Sequence, residues 1–300
     1  MARVMDLRKP QAAPRPPASA APRPPQREPK RTAPLKVRKR RRRIIVALAW
    51  IVSAAAALYG IHWVSYLPQY TIQDVEIQGT VSLTREDILG RIDGFFASKG
   101  TFISPRSIFW HDEAGIERML ESDILHIADA RVSRDGFMAT TLSVALDERV
   151  PFARWCATDA SCYVIDKTGF IFAPYDASST VALEPVSFTG GVSDPGNPLG
   201  HSVAAARFPA ILSFIAALGQ AGYPAASADI DADGNLAFAL AAGFTIYVSP
   251  GADPVALIRD LRLILGSEAL RDHVGELEYV DLRFGNRVFY KLKGQEAVGQ

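Results

Sequence analysis

The chain has 300 residues, 48 % of them hydrophobic, with 33 Lys or Arg against 32 Asp or Glu for a formal net charge of +1. That near-neutral total joins two opposite segments, because residues 1–43 carry 15 basic and two acidic residues while the other 257 carry 18 basic and 30 acidic. The balance excludes reading the chain as one electrostatic body, and the two segments must be taken separately.

Residues 1–35 hold nine of the 20 prolines in a stretch of Ala, Arg and few large apolar residues, "QAAPRPPASAAPRPPQREPK". Such a segment buries too little apolar surface to offset its ordering entropy, so 1–43 is expected to be a disordered basic tail with polyproline II character. Its "PRPP" repeats suit an aromatic groove and its Arg cluster suits anionic lipid. It has no aromatic side chain on which bases would stack, so no nucleic-acid partner is expected.

Ile44 to Leu67 is a run of 24 residues without a formal charge. At ~1.5 Å per residue a helix of that length reaches roughly 36 Å, longer than the hydrocarbon layer of a bilayer. Residues 44–67 are therefore expected to form a transmembrane helix. The long preceding tail argues for a retained signal anchor over a cleaved signal peptide, and a twin-Arg export signal at "RRRRII" is the weaker reading. Lys and Arg crowd one flank and are absent on the other until Arg85. This bias places the N-terminus in the cytoplasm, the later residues outside it, and Trp63, Tyr66 and Tyr70 near the outer interface.

Beyond the span, "YTIQDVEIQGT" alternates as a strand ending at Gly79. "SLTREDILGRI" then starts a helix with Thr84 and Asp87 as a capping box. A loop follows, and a second helix carries Ile116, Met119 and Leu120 at helical spacing. "IADARVSRDGFMATTLSVALDERV" predicts two strands about an Asp135–Gly136 turn. The order β-α-α-β-β over residues 70–148 suits a small sheet with both helices on one face.

Residues 149–291 predict a mixed, mainly β second domain, followed by a disordered tail, 292–300. "CYVIDKTGFIFAP" reads as a hairpin about Lys167–Gly169, and "AAARFPAILSFIAALGQAG" as a helix closed by glycine. "NLAFALAAGFTIYVSP" reads as two strands joined at Ala241–Gly243, and "DPVALIRDLRLILGS" as a helix capped by Asp253 with Pro254 in its first turn. "LEYVDLRFGNRVFYKLK" gives two strands about Gly285–Asn286, the last of them a sheet edge. Cys156 and Cys162 would form a small disulfide loop if the compartment is oxidising. A free thiol pair and half a metal site are the alternatives, although two Cys without a nearby His ligate zinc poorly.

Chemical motifs are absent: there is no H-E-x-x-H, G-x-S-x-G, S-x-x-K, Walker loop or G-x-G-x-x-G. The five histidines are scattered. "DIDADG" places Asp229, Asp231, Asp233 and Gly234 like the first half of an EF-hand loop, but Leu240 stands where the bidentate Glu belongs, so a strand and Asp-Gly turn is the better reading. Asp281 and Arg283 share a strand face and are placed to pair. No catalytic residue, cofactor, metal or small-molecule substrate is expected.

Several passages in order resemble the FtsQ/DivIB family of bacterial cell-division proteins, in which a POTRA domain sits just outside a membrane helix. They are "VEIQGTVSLTREDI", "ILHIADARVSRD", "LSVALDERVPFARW", "CYVIDKTGFIF" and "YVDLRFGNRVFYK", and with the basic tail and anchor the resemblance covers residues 36 to 291. The loop Lys99–Ser107 is longer than the family pattern, and His126–Ile127 lack its proline. The resemblance implies an α+β scaffold at the division septum, single-pass type II in the inner membrane, that binds bitopic partners of the FtsB/FtsL type through its terminal strand. It assigns this contact to Phe284, Asn286, Arg287, Val288 and Phe289. Another anchored POTRA adaptor of envelope assembly is the next reading, and an anchored cell-wall enzyme the third.

Overall fold

The computed structural model describes residues 35–100, 102–158, 161–178, 181–285 and 287–294. The chain divides into two compact units, 1–59 and 60–300. The first helix, α1 (Leu35–Ser65), is long and apolar enough to cross a membrane. It takes in the basic run from Lys36, which corrects the expectation of disorder through residue 43 for residues 35–43. This stretch has no proline, and Lys, Arg and Leu are good helix formers that continue the apolar helix at little cost. The expected disorder of 1–34 lies outside the described residues. At the other end α1 stops at Ser65, two residues before the expected limit, and Pro68 opens a single 3-10 turn, Pro68–Tyr70.

The first folded region runs β1 (Asp74–Gln78), α2 (Arg85–Ser98), α3 (Glu113–Asp123), β2 (Ile127–Ser133) and β3 (Thr141–Glu148). Its sheet has the order β1-β3-β2, with β1 parallel and β2 antiparallel to β3. Thr84 caps α2 by accepting from the Asp87 N–H at 3.3 Å, and the Asp87 carboxylate takes the Thr84 hydroxyl at 2.6 Å. Ile88 and Ile92 of α2, Ile116 and Leu120 of α3 and Leu142 and Val144 of β3 meet in one core. Each such side chain contributes ~1.5–3 kcal/mol by leaving water. Gly79, with φ +87°, lets the chain leave β1 under β3, since a Cβ there would lie 2.0 Å from the Leu146 carbonyl oxygen.

The second folded region is a single nine-stranded mixed sheet. Its strands are β4 (Ala153–Thr158), β5 (Ser161–Ile165), β6 (Ile171–Pro174), β7 (Ser187–Gly190), β8 (Ala225–Ile230), β9 (Leu236–Leu240), β10 (Thr245–Val248), β11 (Leu277–Phe284) and β12 (Arg287–Leu292). They lie in the order β12-β11-β10-β9-β8-β7-β4-β5-β6. Helices α4 (Phe208–Gln220) and α5 (Pro254–Leu265) join its core, built on Trp155, Phe188, Phe208, Phe238, Ile246 and Val280. Asp253 caps α5 by accepting from the Val255 and Ala256 N–H groups. β7 is too short to show alternation in sequence, yet it bridges the halves of the sheet by pairing in parallel with β4 and β8. The fully buried Trp155 holds that junction, its indole N–H donating to the Gly190 carbonyl at 2.8 Å. Cys156 and Cys162 face each other on the β4–β5 hairpin and are joined by a disulfide. β12 takes in Leu292, which was expected to begin the tail, because Leu292 pairs with Leu277; residues 295–300 lie outside the described residues.

Only Arg149–Phe152 separates the two sheets, and both ends of this connector are hydrogen-bonded, Arg149 N–H to the His126 carbonyl and Phe152 N–H to the Ile165 carbonyl. On one side the Glu148 carboxylate accepts from the N–H groups of Val81, Ser82 and Leu83 and from the Ser82 hydroxyl. On the other, Arg149 donates to the Leu125 carbonyl at 3.1 Å and to the Asp166 carboxylate at 2.7 Å, and its guanidinium lies 3.9 Å from the Phe170 ring centroid. Asp166 also receives the Thr168 N–H and hydroxyl and the Phe170 N–H. Burial alone would raise the Asp166 carboxyl, but the hydrogen bonds from Thr168, Arg149 and Phe170 outweigh it and hold its pKa below the ordinary value.

Replacing Arg149 by Ala should lower stability by about 1.5–3 kcal/mol, the usual contribution of a hydrogen bond to a charged group, read by thermal unfolding in detergent. The native protein binds fewer protons at Asp166 than the unfolded chain does. The associated stability is therefore present above about pH 5 and is lost as pH falls through the unfolded value near ~3.9 towards the lower folded one. Arg149→Ala should show a shallower acid loss. An equally steep loss in the variant would mean that Arg149 does not hold the carboxylate.

Candidate docking edge of the large sheet

The two ends of the nine-stranded sheet are finished differently. At β6 the edge carries Pro174 and is overlaid by the 200–202 segment, with Ile171 N–H donating to the His201 carbonyl and Gly200 N–H to the Ile171 carbonyl, both at 2.9 Å. Proline and an overlying loop both blunt a strand edge. At the other end β12 is the last strand, antiparallel to β11, and among the described residues no strand lies outside it.

Phe284 ends β11 and pairs with Arg287 across the turn. Its ring meets that of Phe289 edge-on at 5.2 Å, and the two side chains are 55 % and 50 % exposed. The two rings thus pack on each other while staying open to water. Arg287 is exposed, and Val288 is half-buried against the core. Asn286 lies outside the described residues.

Beside this pair stands a group that sequence reasoning named only in part. The Arg283 guanidinium donates to both Asp281 carboxylate oxygens, at 3.0 and 2.7 Å, and sits 5.2 Å from the Tyr247 ring and 5.8 Å from the Phe284 ring. Tyr247 in turn meets Tyr279 at 5.6 Å. Burial would raise the Asp281 carboxyl, but the hydrogen bonds from Arg283 win and hold it below its ordinary value. The Asp281–Arg283 pairing is legible from the period of two. Tyr247 joins through the parallel pairing of β10 with β11, which no local signal announces. Behind the edge a groove of about 440 Å³ runs between α5 and the β11–β12 hairpin, lined by Ala256, Leu263, Ile264, Leu282 and Val288 with Asp253 and Asp260.

The other sequence features fall elsewhere. The disulfide lies on the far half of the sheet from β12. Asp229 accepts from the Thr189 hydroxyl, and Asp231 accepts from the Asn235 N–H and side-chain amide, so the EF-hand-like residues serve a strand contact and a turn. Among the described residues no group of three or more metal-ligating side chains converges.

The chain is thus an α+β protein in which, among the described residues, one N-terminal helix is long and apolar enough for a membrane span and the large sheet ends in an open, aromatic strand. A stretch of 131 residues, 43 % of the chain, is 31 % identical to the cell division protein FtsQ of Mycobacteroides abscessus, and the match spans 36 % of that relative's length. No protein-family model matches the chain. This similarity fits a membrane protein of cell division.

Replacing Asp281 by Ala leaves Arg283 without its bidentate partner beside two aromatic rings. The loss expected is about 1.5–3 kcal/mol, measured by thermal unfolding. Tyrosine near-ultraviolet circular dichroism should fall as the stack loosens, and an unchanged spectrum would show that the stack does not depend on the ion pair.

Proposed function

We propose that the chain is a scaffold of the FtsQ/DivIB type: a single-span protein of the bacterial division machinery that joins small bitopic membrane proteins of the FtsB/FtsL type to the forming septum. The observation that carries this reading is the open β12 edge with its exposed Phe284–Phe289 pair. An incoming strand adds to the free N–H and C=O groups of β12, and its alternate side chains take specificity from Phe289 and Arg287 on one side and from the groove at Val288 on the other. The partial likeness to the mycobacterial FtsQ supports the same assignment.

In this reading the protein's product is proximity. Both partners are confined to one bilayer, so the second contact forms at the effective concentration of a tethered pair, and a modest edge suffices. The basic residues Arg38–Arg43 hold the N-terminus in the cytoplasm and rest against anionic headgroups, with the folded regions outside. Among the described residues every carboxyl whose pKa is displaced is displaced downward, by partners in caps, turns, the connector or the Asp281–Arg283 pair. None is poised as a general acid, which favours a scaffold over an anchored wall enzyme.

Phe284→Lys should weaken capture of an FtsB-type extracytoplasmic segment at least tenfold, or about 1.4 kcal/mol, in a titration with detergent-solubilised protein. Its unfolding temperature should stay near that of the parent. Undiminished capture by the folded variant removes the edge from the assignment. Protease added to spheroplasts should shave both folded regions while the membrane is intact; cleavage that needs a permeabilised membrane reverses the proposed orientation.

A further inference from the structure

The last turn of α1 and the segment that follows it are clamped to the first folded region. The Ser65 hydroxyl accepts from the Ser104 N–H at 3.1 Å and His62 Nδ1 is 2.5 Å from the Phe102 carbonyl oxygen. Further on, Ile72 N–H donates to the Arg106 carbonyl and Ile108 N–H to the Tyr70 carbonyl. The loop between α2 and α3 thus seats itself, through Phe102 and Ser104, on the last turn of the helix.

This clamp gathers aromatic residues. Phe109 rings meet Tyr70 at 5.8 Å, Trp110 at 5.7 Å and Phe137 at 5.4 Å, which ties the α2–α3 loop to the tip of the β2–β3 hairpin. Phe102, Trp110, Phe137 and Met138 nevertheless remain between 54 % and 74 % exposed. Past Tyr66, the described part of this region has six large hydrophobic side chains so exposed, and these four share the end tied to α1; Val81 and Val150 are the others. The cations of the loop are paired close by, Lys99 with Asp112 at the start of α3 at 3.1 Å and Arg106 with Asp93 of α2 at 2.6 Å. Arg134 folds back to donate to the Ala139 carbonyl.

We infer that this end of the first folded region rests on the surface of the bilayer that α1 crosses, with Phe102, Trp110, Phe137 and Met138 seated in the interfacial layer. The occupant follows from continuity: Trp63 and Tyr66, at the end of the apolar run, are exposed as well, and the ring of Phe102 lies 5.7 Å from that of His62, one turn before Tyr66. A water-facing position would leave Trp and Phe hydrated, whereas the headgroup layer is where such rings accumulate. The loop and hairpin tip thereby extend the belt begun by Trp63 and Tyr66. The consequence is a second, non-spanning attachment of the chain to the membrane.

Cys156 and Cys162 are joined, so Phe137→Cys adds the single free thiol of the chain. The full protein, labelled there with a nitrobenzoxadiazole dye, is reconstituted in phosphatidylethanolamine–phosphatidylglycerol vesicles. Headgroup-level nitroxide lipid should quench this dye at least about threefold more than the same dye at Val81→Cys, and aqueous cobalt should quench it less. Met138→Cys should repeat the result if Phe137→Cys folds poorly. A label quenched by cobalt as strongly as the Val81 control overturns the inference. So does protection that grows with the protein-to-lipid ratio, which would assign the surface to a second copy. Carbonate extraction reads the span itself: loss of protein to the supernatant overturns both span and surface, whereas retention with a water-exposed label overturns the surface alone.

Discussion

The structure depends on two adjacent side chains, Glu148 and Arg149. Glu148 ends β3 and turns its carboxylate to the loop after β1, while Arg149 reaches the Asp166 turn between β5 and β6. The pair locks the exit of one sheet to the entrance of the next with charge-assisted hydrogen bonds, which are stronger than neutral ones and directional. A four-residue connector with both ends hydrogen-bonded leaves little freedom, so both sheets belong to one compact unit. In both carboxylates, burial pushes the pKa upward and a shell of donors overrides it. The folded state is therefore committed to the ionised forms.

A rigid joint matters for a protein whose proposed work is to hold partners at fixed places. The clamp at the end of α1 couples the helix end to the first sheet, and the connector couples the first sheet to the second. The end of α1, both sheets and β12 are thereby linked within the unit 60–300 through hydrogen bonds and packed cores. The two edges of the large sheet complete the arrangement. β6 is closed by Pro174 and an overlying loop, which removes a competing site, and β12 stays open. Control of one edge and exposure of the other leave the large sheet, among the described residues, with a single unblunted end at β12.

Much of the local architecture was legible in the sequence. The uninterrupted apolar run announces α1, because length and lack of charge are properties of a single segment. Thr84 and Asp253 announce the starts of α2 and α5, and alternation announces β3 and the β11–β12 hairpin with Phe284 beside the turn. α1 begins at Leu35, ahead of the uncharged run, because Lys and Arg continue a helix readily once an apolar segment has nucleated it.

What the sequence determined by itself is the set of elements and the charge asymmetry about the apolar helix, since these rest on periodicity, capping and turn residues a few positions apart. Only the tertiary structure decided the strand order β1-β3-β2, the joining of nine strands into one sheet through the short β7, the Arg149–Asp166 lock and the stack of Tyr247, Arg283 and Phe284. Those features pair residues distant in the chain, and such pairings are selected by which side chains fill a common core and which polar groups find partners, a choice no local window of residues contains.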